Sequence, residues 1–272
     1  MKIGLIGYGK MGKMIETAAL GRGHQITQII DPFVSEIQRA SGTVLSKSFP
    51  SAAEKACGID LFLEFTKPDT APDNIKTAAA LGKPVVCGTT GWHNRLPEVS
   101  AAVEKAGTTL LWSSNFSLGV NLFYRIAAYA AQLAEPFAEY DLGGMEIHHR
   151  KKLDSPSGTA KTLMERVLAV MKRKSKVIWD DPSKHGSSAD DSSAEDSGLG
   201  GDCIHFTSLR YGSVPGAHSL FFDSSADTIE ITHTARSREG FASGAVIAAE
   251  WLAKKARPGV FTMEDVLKDM LP

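Results

Sequence analysis

The sequence has few cysteines, almost no net charge and no long apolar run. Its three cysteines, Cys57, Cys87 and Cys203, are widely spaced and form no CxxC or Cys/His ligand pattern, so neither a disulfide framework nor structural zinc is expected. Because 30 basic residues oppose 31 acidic ones, the net charge of -1 supplies no long-range attraction for nucleic acid or an anionic membrane. No segment approaches the roughly 18 uninterrupted apolar residues of a membrane span. These absences argue against nucleic-acid and membrane partners.

The sequence does contain the composition of a folded protein. Of its 272 residues, 43% are hydrophobic and 22% charged, and 12 Phe, 5 Tyr and 4 Trp can fill a core. The opening MKIGLIGYGK reaches glycines and a lysine without a long apolar region, so it does not read as a secretory signal. We therefore predict a soluble, cytoplasmic protein with reduced cysteines. The length favours one nucleotide-type domain plus a smaller partner.

Two patterns of secondary structure divide the chain near residue 118. In the first half, short apolar runs alternate with helical patterns, which is typical of a parallel sheet covered on both faces. These runs are KIGLI, QITQII, DLFLEF, KPVVCGT and TTLLWSS. Beyond residue 118, a long helical stretch precedes segments typical of an antiparallel sheet. They are YDLGGMEIHH, CIHFTSLRY, HSLFFDS and DTIEITHTA.

A glycine-rich turn follows the first predicted strand. It matches GxGxxG and consists of Gly7, Tyr8, Gly9, Lys10, Met11 and Gly12. An amphipathic helix follows, and Asp31 lies 19 residues past Gly12 at the end of the next strand. Such a turn lets a pyrophosphate approach the backbone and the helix N-terminus, while the carboxylate accepts hydrogen bonds from ribose hydroxyls. A plain glycine turn is the alternative, and dinucleotide binding is the better explanation.

This turn completes the predicted fold. We predict an α/β protein with a Rossmann-like parallel-sheet dinucleotide domain and a smaller α+β domain with a mostly antiparallel sheet. The first domain spans residues 1–118, with 240–272 packing back on it, and residues 119–239 form the second domain. Within the second domain, 183–202 has six Ser, four Gly and five acidic residues, which predicts a solvated surface loop. A tolerated insertion is the simpler interpretation, and substrate gating is the alternative.

Two further segments fall where later strands of the first sheet should end, which is where ligands bind in open α/β folds. They are Gly88-Thr89-Thr90-Gly91 and Ser114-Asn115-Phe116-Ser117. Their side chains could line the nicotinamide ribose and amide, with the Phe116 ring beside the nicotinamide. As isolated features they could equally be turn residues.

Cofactor preference depends on two residues of opposite charge. The Asp31 carboxylate accepts from a ribose 2'-hydroxyl but repels a 2'-phosphate, and the following Pro32 and Phe33 supply no cation. Lys10 could reach a 2'-phosphate as a point charge. An exposed lysine contact is worth about 1 kcal/mol or less. We therefore expect a modest preference for NADH, with NADPH still usable.

The most unusual segment packs two histidines and three cations into five residues, His148-His149-Arg150-Lys151-Lys152. Such a local positive site suits an anionic small molecule. The following Ser157-Gly158-Thr159 leads into a predicted helix whose first N–H groups could hold a carboxylate. Alternation along a strand sends the two histidines to opposite faces, so one can transfer a proton while the other binds. The alternatives are a solvated charge run and, less favoured, a metal site.

The sequence resembles the family of 4-hydroxy-tetrahydrodipicolinate reductases, formerly dihydrodipicolinate reductases, of bacterial lysine and diaminopimelate synthesis. The family signature E-x-H-H-x-x-K-x-D-x-P-S-G-T-A occurs here as EIHHRKKLDSPSGTA. Other matching segments are GYGKMG, EFTKP at 64–68, GKPVVCGTTG at 82–91, NFSLGVN at 115–121 and ITHTARSREGFASGA at 231–245. The signature is long and specific, and it overrides the charge-run interpretation. One departure is Ala217, in PGAH at 215–218, where the family leads us to expect Glu.

The resemblance implies roles for the matching residues. The reaction would be NAD(P)H-dependent reduction of a cyclic imine dicarboxylate, with His148 as the proton donor and Lys152 as the second catalytic or carboxylate-binding residue. His149, Ser157, Gly158 and Thr159 would bind substrate. The implied cofactor contacts are Gly7 to Gly12, Asp31, Gly88, Thr89, Thr90, Ser113, Ser114, Asn115 and Phe116. A homotetramer is also implied, with residues 119–239 as the domain for substrate binding and oligomerisation; no metal is expected. Competing hypotheses are another dehydrogenase built on the same first domain and an NAD(H)-binding sensor without catalysis.

Overall fold

The computed structural model describes residues 1–34, 43–49, 58–180, 201–255 and 257–271. Its chain separates into two compact units: the first unit is Met1–Leu118 with Arg238–Pro272, and the second is Gly119–Ser237. That these units act as a cofactor domain and a substrate domain stays a prediction. The predicted surface loop lies outside the described residues except for 201 and 202, and Cys57 lies outside them too.

The first unit is a seven-stranded parallel sheet flanked by helices. Its strands are β1 (Lys2–Ile6), β2 (Gln25–Ile30), β3 (Val44–Ser46), β4 (Leu61–Glu64), β5 (Val85–Cys87), β6 (Thr109–Trp112) and β12 (Gly259–Phe261). Across the sheet their order is β12-β6-β5-β4-β1-β2-β3, and every pair is parallel. The helices are α1 (Lys10–Gly21), α2 (Ala71–Ala80), α3 (Leu96–Lys105), α6 (Glu239–Leu252) and α7 (Met263–Met270). The five predicted strands of this sheet are confirmed. β3 and β12 were not predicted, because each contains only two apolar residues and shows no clear strand pattern.

Alternation along the strands explains why helices cover both faces of this sheet. Ile3 and Leu5 pack with side chains of α1 and α6, whereas Ile6 packs with those of α2 and α3. All three are essentially unexposed. Burying such a side chain fully contributes about 1.5 to 3 kcal/mol. The sheet is therefore held from both sides, which fixes the positions of its strand ends.

The second unit is a five-stranded mixed sheet packed against two long helices. Its strands are β7 (Asp141–His148), β8 (Lys176–Asp180), β9 (Cys203–Arg210), β10 (Ala217–Asp223) and β11 (Thr228–Thr234), in the order β11-β10-β7-β9-β8. The helices are α4 (Leu118–Ala134) and α5 (Gly158–Val170). β10 is antiparallel to β11 and β7, while β9 is parallel to β7 and β8. The predicted mostly antiparallel sheet is thus corrected: α5 follows β7 and leads into the unpredicted β8, so that β7 and β8 run in the same direction.

One face of this sheet changes from apolar to polar along its strands. Leu142, Phe206 and Leu220 belong to the core that α4 and α5 cover. Toward the end of β7 the same face carries Glu146 and His148 instead, which are also buried. Polar groups buried at the end of an apolar core are costly unless they are paired, so this end of the sheet is where a site is expected.

The predicted fold class is confirmed, with the mixed second sheet as its refinement. Among the described helices, none is both long and apolar enough to cross a membrane.

Candidate functional site

The glycine turn, Gly7 to Gly12, joins β1 to α1, and its three glycines have different surroundings. Gly7 has φ +89°, and a Cβ there would lie 2.3 Å from the Phe65 carbonyl oxygen. A Cβ at Gly12 would lie 2.4 Å from the Gly7 carbonyl oxygen. At Gly9, which is exposed, a Cβ would meet no atom within 4 Å. The outer glycines are therefore required by packing, and the middle one leaves open backbone at a helix N-terminus, where an anionic pyrophosphate fits.

Asp31 follows β2 and braces the glycine turn. Its Oδ2 accepts the Tyr8 backbone N–H at 2.7 Å, and its Oδ1 accepts that of Phe33 at 2.9 Å. A carboxylate has about four acceptor sites, so further donors such as ribose hydroxyls can still bind. Sequence reasoning predicted the ribose contact but not the bracing. Lys10, the first residue of α1, is exposed.

The loop after β5 is fixed by hydrogen bonds. Thr89 is buried; its hydroxyl accepts the Thr66 N–H at 2.8 Å and its carbonyl accepts the Trp92 indole N–H at 2.7 Å. Gly88 leaves room for the Phe65 ring, since a Cβ there would lie 2.1 Å from that ring. Thr90 is exposed at the end of the loop. Of the predicted contacts here, Thr90 is thus the side chain open to a ligand.

The loop after β6 is shaped by its own side chains. The Ser113 hydroxyl donates to the Asn115 carbonyl at 2.9 Å, and Asn115 Oδ1 accepts the Ser117 N–H at 2.9 Å, so these side chains shape the loop. Ser114 is exposed. The Phe116 side chain is only 2% exposed and packs in the core, tilted against Phe65 at 6.0 Å between ring centroids. This ring therefore serves as part of the core, and its contact with a nicotinamide stays a prediction.

A buried acid that sequence reasoning missed lies at the end of β4. Glu64 is unexposed, and its carboxylate accepts from the Thr66 hydroxyl and from Cys87 Sγ, the latter at 3.1 Å. Burial and then the charge of Glu64 raise the pKa of the Cys87 thiol well above its usual range, so the thiol stays a donor. Glu64 belongs to the EFTKP segment, which was noted only for its resemblance to the family. It ties together the ends of β4 and β5.

The polar end of the second sheet is assembled by strand register. Glu146 lies opposite Ser208 on β9 and opposite His218 on β10, and His148 lies opposite Arg210. Since residues i and i+2 share a face, all five side chains face the same way. We call them the Glu146 cluster.

Glu146 is the unexposed centre of this cluster. Its Oε1 accepts the Ser157 N–H at 2.9 Å, the Ser208 hydroxyl at 2.9 Å and Arg210 Nη2 at 2.8 Å. Its Oε2 faces His148 Nδ1 at 3.4 Å and His218 Nε2 at 3.3 Å. Burial alone would raise the pKa of Glu146, but polar contacts from His218, Ser157 and Arg210 outweigh it and hold the pKa well below its usual range. The group is therefore a buried carboxylate.

The two signature histidines have different surroundings. His148 is 7% exposed, and its pKa is lowered to about 4: burial is the largest cause, Glu146 opposes it, and His218, Lys152 and Arg210 add to it. It is therefore neutral near pH 7. A Cβ at Gly216 would lie 2.9 Å from His148 Nε2, so glycine makes room there. His149 follows the end of β7, is half-buried, and accepts the Lys152 N–H on its carbonyl at 3.0 Å.

Among the cations of the segment, Lys152 is tied to an acid. Its ammonium lies 2.8 Å from Asp154 Oδ1, and this contact lowers the pKa of Asp154 although burial opposes the shift. Arg150 and Lys151 are exposed. Lys152 can therefore reach an anionic ligand by exchanging Asp154 for it.

The start of α5 lies next to the Glu146 cluster. The Ser157 hydroxyl caps the helix by accepting the Ala160 N–H at 3.1 Å, and it lies 3.2 Å from His218 Nε2. Gly158 is exposed, and a Cβ there would meet no atom within 4 Å. Thr159 contacts the Tyr124 hydroxyl. The first turn of a helix attracts anions, so a substrate carboxylate fits here.

The cluster also bears on metal binding. Within the described parts of the chain, Glu146, His148 and His218 are a group whose donor atoms lie within 4.8 Å of one another, as a metal site would need. However, Arg210 already binds the same carboxylate, and its positive charge disfavours a second cation. We therefore interpret the group as a hydrogen-bonded cluster.

Comparisons with known proteins decide the family. The family model "Dihydrodipicolinate reductase, N-terminus" matches residues 1–116, and "Dihydrodipicolinate reductase, C-terminus" matches residues 119–267. The chain belongs to the dihydrodipicolinate reductase family. The predicted resemblance is thereby confirmed.

Individual relatives agree with this membership. The chain is 37% identical to the 4-hydroxy-tetrahydrodipicolinate reductase of Christiangramia forsetii over 270 residues, 99% of each chain. It is 35% identical to that of Archaeoglobus fulgidus, over 96% of each chain. Among solved structures, the dipicolinate-bound dihydrodipicolinate reductase of Paenisporosarcina sp. TG-14 has a TM-score of 0.74 at 20% identity and covers 100% of this chain and 99% of its own. That likeness demonstrates a shared fold.

Proposed function

We propose that this protein reduces 4-hydroxy-tetrahydrodipicolinate to tetrahydrodipicolinate in the biosynthesis of lysine and diaminopimelate. The observation that carries the proposal is the Glu146 cluster beside the α5 N-terminus, in a chain that is 37% identical to a relative of that name. The substrate is a cyclic imine with two carboxylates. Replacing its ring hydroxyl by hydrogen, with release of water, consumes one hydride and one proton.

The proton is assigned to His148. Its Nδ1 faces Glu146, so Nε2 is the nitrogen left for a substrate. With a pKa of about 4 it is neutral at pH 7 before substrate binds. Two incoming carboxylates favour the protonated imidazole, so His148 gains its proton as the substrate arrives and can then donate it.

The carboxylates are assigned to the cations and the helix start. Lys152 leaves Asp154 for one carboxylate, and the first turn of α5 at Ser157, Gly158 and Thr159 holds it with N–H and hydroxyl donors. His149, which is half-buried, is assigned to substrate binding. Fixing the acceptor in this way supplies much of the rate acceleration.

A nicotinamide dinucleotide supplies the hydride when it is bound. The glycine turn fits its pyrophosphate because Gly9 leaves open backbone, and Asp31 fits a ribose of its adenosine half. Thr90 and Ser114 are the exposed loop residues nearest to their strand ends, and we assign them to the nicotinamide half. NADH is the expected preferred form, with NADPH usable.

We also propose a homotetramer built through the outer face of the second sheet. Exposed apolar side chains on this unit include Ile178 and Leu209, at 37% and 45% exposure, and both alternate with core-facing neighbours. Exposed apolar surface of this kind favours association. Sedimentation should give the mass of four chains at micromolar concentration, and a monomer would reject the assembly.

The free thiols Cys87 and Cys203 support a cytoplasmic location.

The reaction is tested by supplying the purified protein with the fresh product of the preceding synthase and following NADH absorbance. Turnover that depends on both the synthase product and the cofactor is expected. Pyridine-2,6-dicarboxylate, a planar dicarboxylate, should compete with the substrate. NADH binding without turnover would instead identify a sensor, and turnover of an unrelated amino or hydroxy acid would identify another dehydrogenase.

A further inference from the structure

His218 occupies a central position for which the sequence suggested no role. It lies in the PGAH segment, is 4% exposed, and faces Glu146 across the β7–β10 pair. Its Nε2 lies 3.3 Å from Glu146 Oε2 and 3.2 Å from the Ser157 hydroxyl. Its ring meets that of His148 edge-on, with 5.2 Å between centroids. Side-chain contacts therefore connect Ser157, which caps α5, to His218, then to Glu146 and finally to His148.

We propose that His218 is a positioning residue, which controls how strongly the Glu146 carboxylate stabilises a proton on His148. Through its contact with the Ser157 hydroxyl, His218 also couples the protonation of His148 to the start of α5. The inference rests on the proposed role of His148 as the proton donor. His218 itself acts through Glu146 and needs no contact with the substrate.

The two oxygens of Glu146 have different partners. Oε1 is occupied by three donors, from Ser157, Ser208 and Arg210, which fix the carboxylate in place. Oε2 is left to two imidazoles, at 3.3 Å and 3.4 Å. Both distances exceed the usual N–H···O separation of about 2.9 Å. Both histidines therefore interact with the same oxygen, and each weakens the interaction of the other with it.

Sharing this oxygen matters because Glu146 is the acid that favours a proton on His148. Among the described residues, His218 itself, Lys152 from the loop after β7 and Arg210 from β9 act on His148 in the opposite direction. Asp154 is paired with Lys152, and His233 on β11 lies opposite His218. When His218 interacts less strongly with Glu146 Oε2, His148 interacts with that oxygen more strongly. The proton affinity of His148 then rises.

His218 also joins this balance to substrate binding. Its Nε2 can turn its hydrogen bond toward Glu146 Oε2 or toward the Ser157 hydroxyl, which lie at similar distances. A carboxylate bound at the start of α5 attracts the Ser157 hydroxyl proton, which leaves the serine oxygen as a better acceptor for His218. Glu146 Oε2 then interacts with His148 alone. The proton donor thus becomes charged when the acceptor is in place.

The test compares three variants of His218. In His218→Ala, Oε2 belongs to His148 alone, so the alkaline midpoint of the pH–kcat profile should rise by roughly half a pH unit or more. His218→Gln keeps an amide donor within reach of Oε2 and should retain the wild-type midpoint. His218→Asn keeps a polar amide that is too short to reach Oε2, so it should shift like Ala and replaces it if Ala fails to fold.

Calorimetric binding of pyridine-2,6-dicarboxylate across pH gives a second readout without turnover. The pH at which its affinity falls should rise in His218→Ala and His218→Asn and stay in place in His218→Gln. The role of His218 would be overturned if neither pH midpoint moved in His218→Ala and His218→Asn, or if the midpoints moved equally in all three variants. Either result would leave the reductase activity itself unaffected. Absence of turnover in the wild-type protein would instead reject the proposed function.

Discussion

The glycine turn and the region around the Glu146 cluster, which includes Lys152 and the start of α5, are both suited to anions, but they are built in opposite ways. The turn is made of backbone and of missing side chains: Gly9 leaves open space, while Gly7 and Gly12 admit no Cβ. The cluster is made of side chains from three strands, with an unexposed carboxylate at its centre. One site therefore depends on steric room, and the other on charge and proton positions.

This difference predicts that the two regions respond to different perturbations. A backbone site has no group that titrates near pH 7, so its function should be altered by adding atoms. A side-chain site retains its shape when one group is replaced, but it loses the chemistry of that group. Substitutions in each region, and changes of pH and cofactor, test this contrast.

The largest effect is expected in the side-chain site. His148→Ala and Lys152→Ala should each lower kcat by about a hundredfold or more, because general acid help is typically worth ~10² to 10⁴. The dissociation constant for NADH should stay near that of the wild type. Lys151→Ala removes an equal charge from an exposed neighbour and serves as the control, with an expected change below about threefold. Near-normal turnover in both test variants, or a parallel loss of NADH affinity, would contradict the contrast.

The second effect is expected in the backbone site. Gly9→Ala adds a methyl group to open space at φ -75°, so it should leave the melting temperature unchanged but weaken NADH binding about tenfold by crowding the pyrophosphate. Gly12→Ala places a Cβ 2.4 Å from a carbonyl oxygen, which should destabilise the fold by about 1 to 3 kcal/mol. Thermal denaturation with cofactor titration separates the two. Equal losses of stability would show that Gly9 is also a packing residue.

The same contrast explains which features of the fold and of the candidate site the sequence could predict. GxGxxG followed by Asp31 is a local pattern, and the structure places these residues around one turn. The long strands were predictable from their apolar runs. His218, Ser208 and Arg210 are separated from Glu146 by about sixty to seventy residues, and only strand register brings them together. The register could not be read because strand partners that are distant along the chain leave no local pattern. The burial of Phe116 could not be read either, because an aromatic side chain in a loop gives no local sign of it.

A third effect concerns pH and stability. An unfolded histidine has a pKa of about 6.5, whereas that of His148 is lowered to about 4. Between these values the unfolded chain binds a proton that the folded chain does not, so stability is lost as the pH falls through this window. Wild type should lose roughly 1 to 3 kcal/mol more than His148→Gln between pH 6.5 and 4. Urea denaturation at several pH values measures this, and Gly9→Ala should follow the wild type. Identical pH dependence in wild type and His148→Gln would refute the effect.

The smallest effect is the choice between NADH and NADPH, where charge enters the backbone site. Asp31 accepts N–H groups from Tyr8 and Phe33 at 2.7 Å and 2.9 Å, so it cannot easily turn away from a 2'-phosphate. Lys10 is exposed, and ordering its long side chain costs much of the roughly 1 kcal/mol that such a contact gains. A preference for NADH of about tenfold or less should result. Specificity constants for both cofactors at low and physiological salt measure it, and Lys10→Ala should increase the preference. If the wild type instead prefers NADPH and Lys10→Ala abolishes that preference, the lysine outweighs the fixed carboxylate.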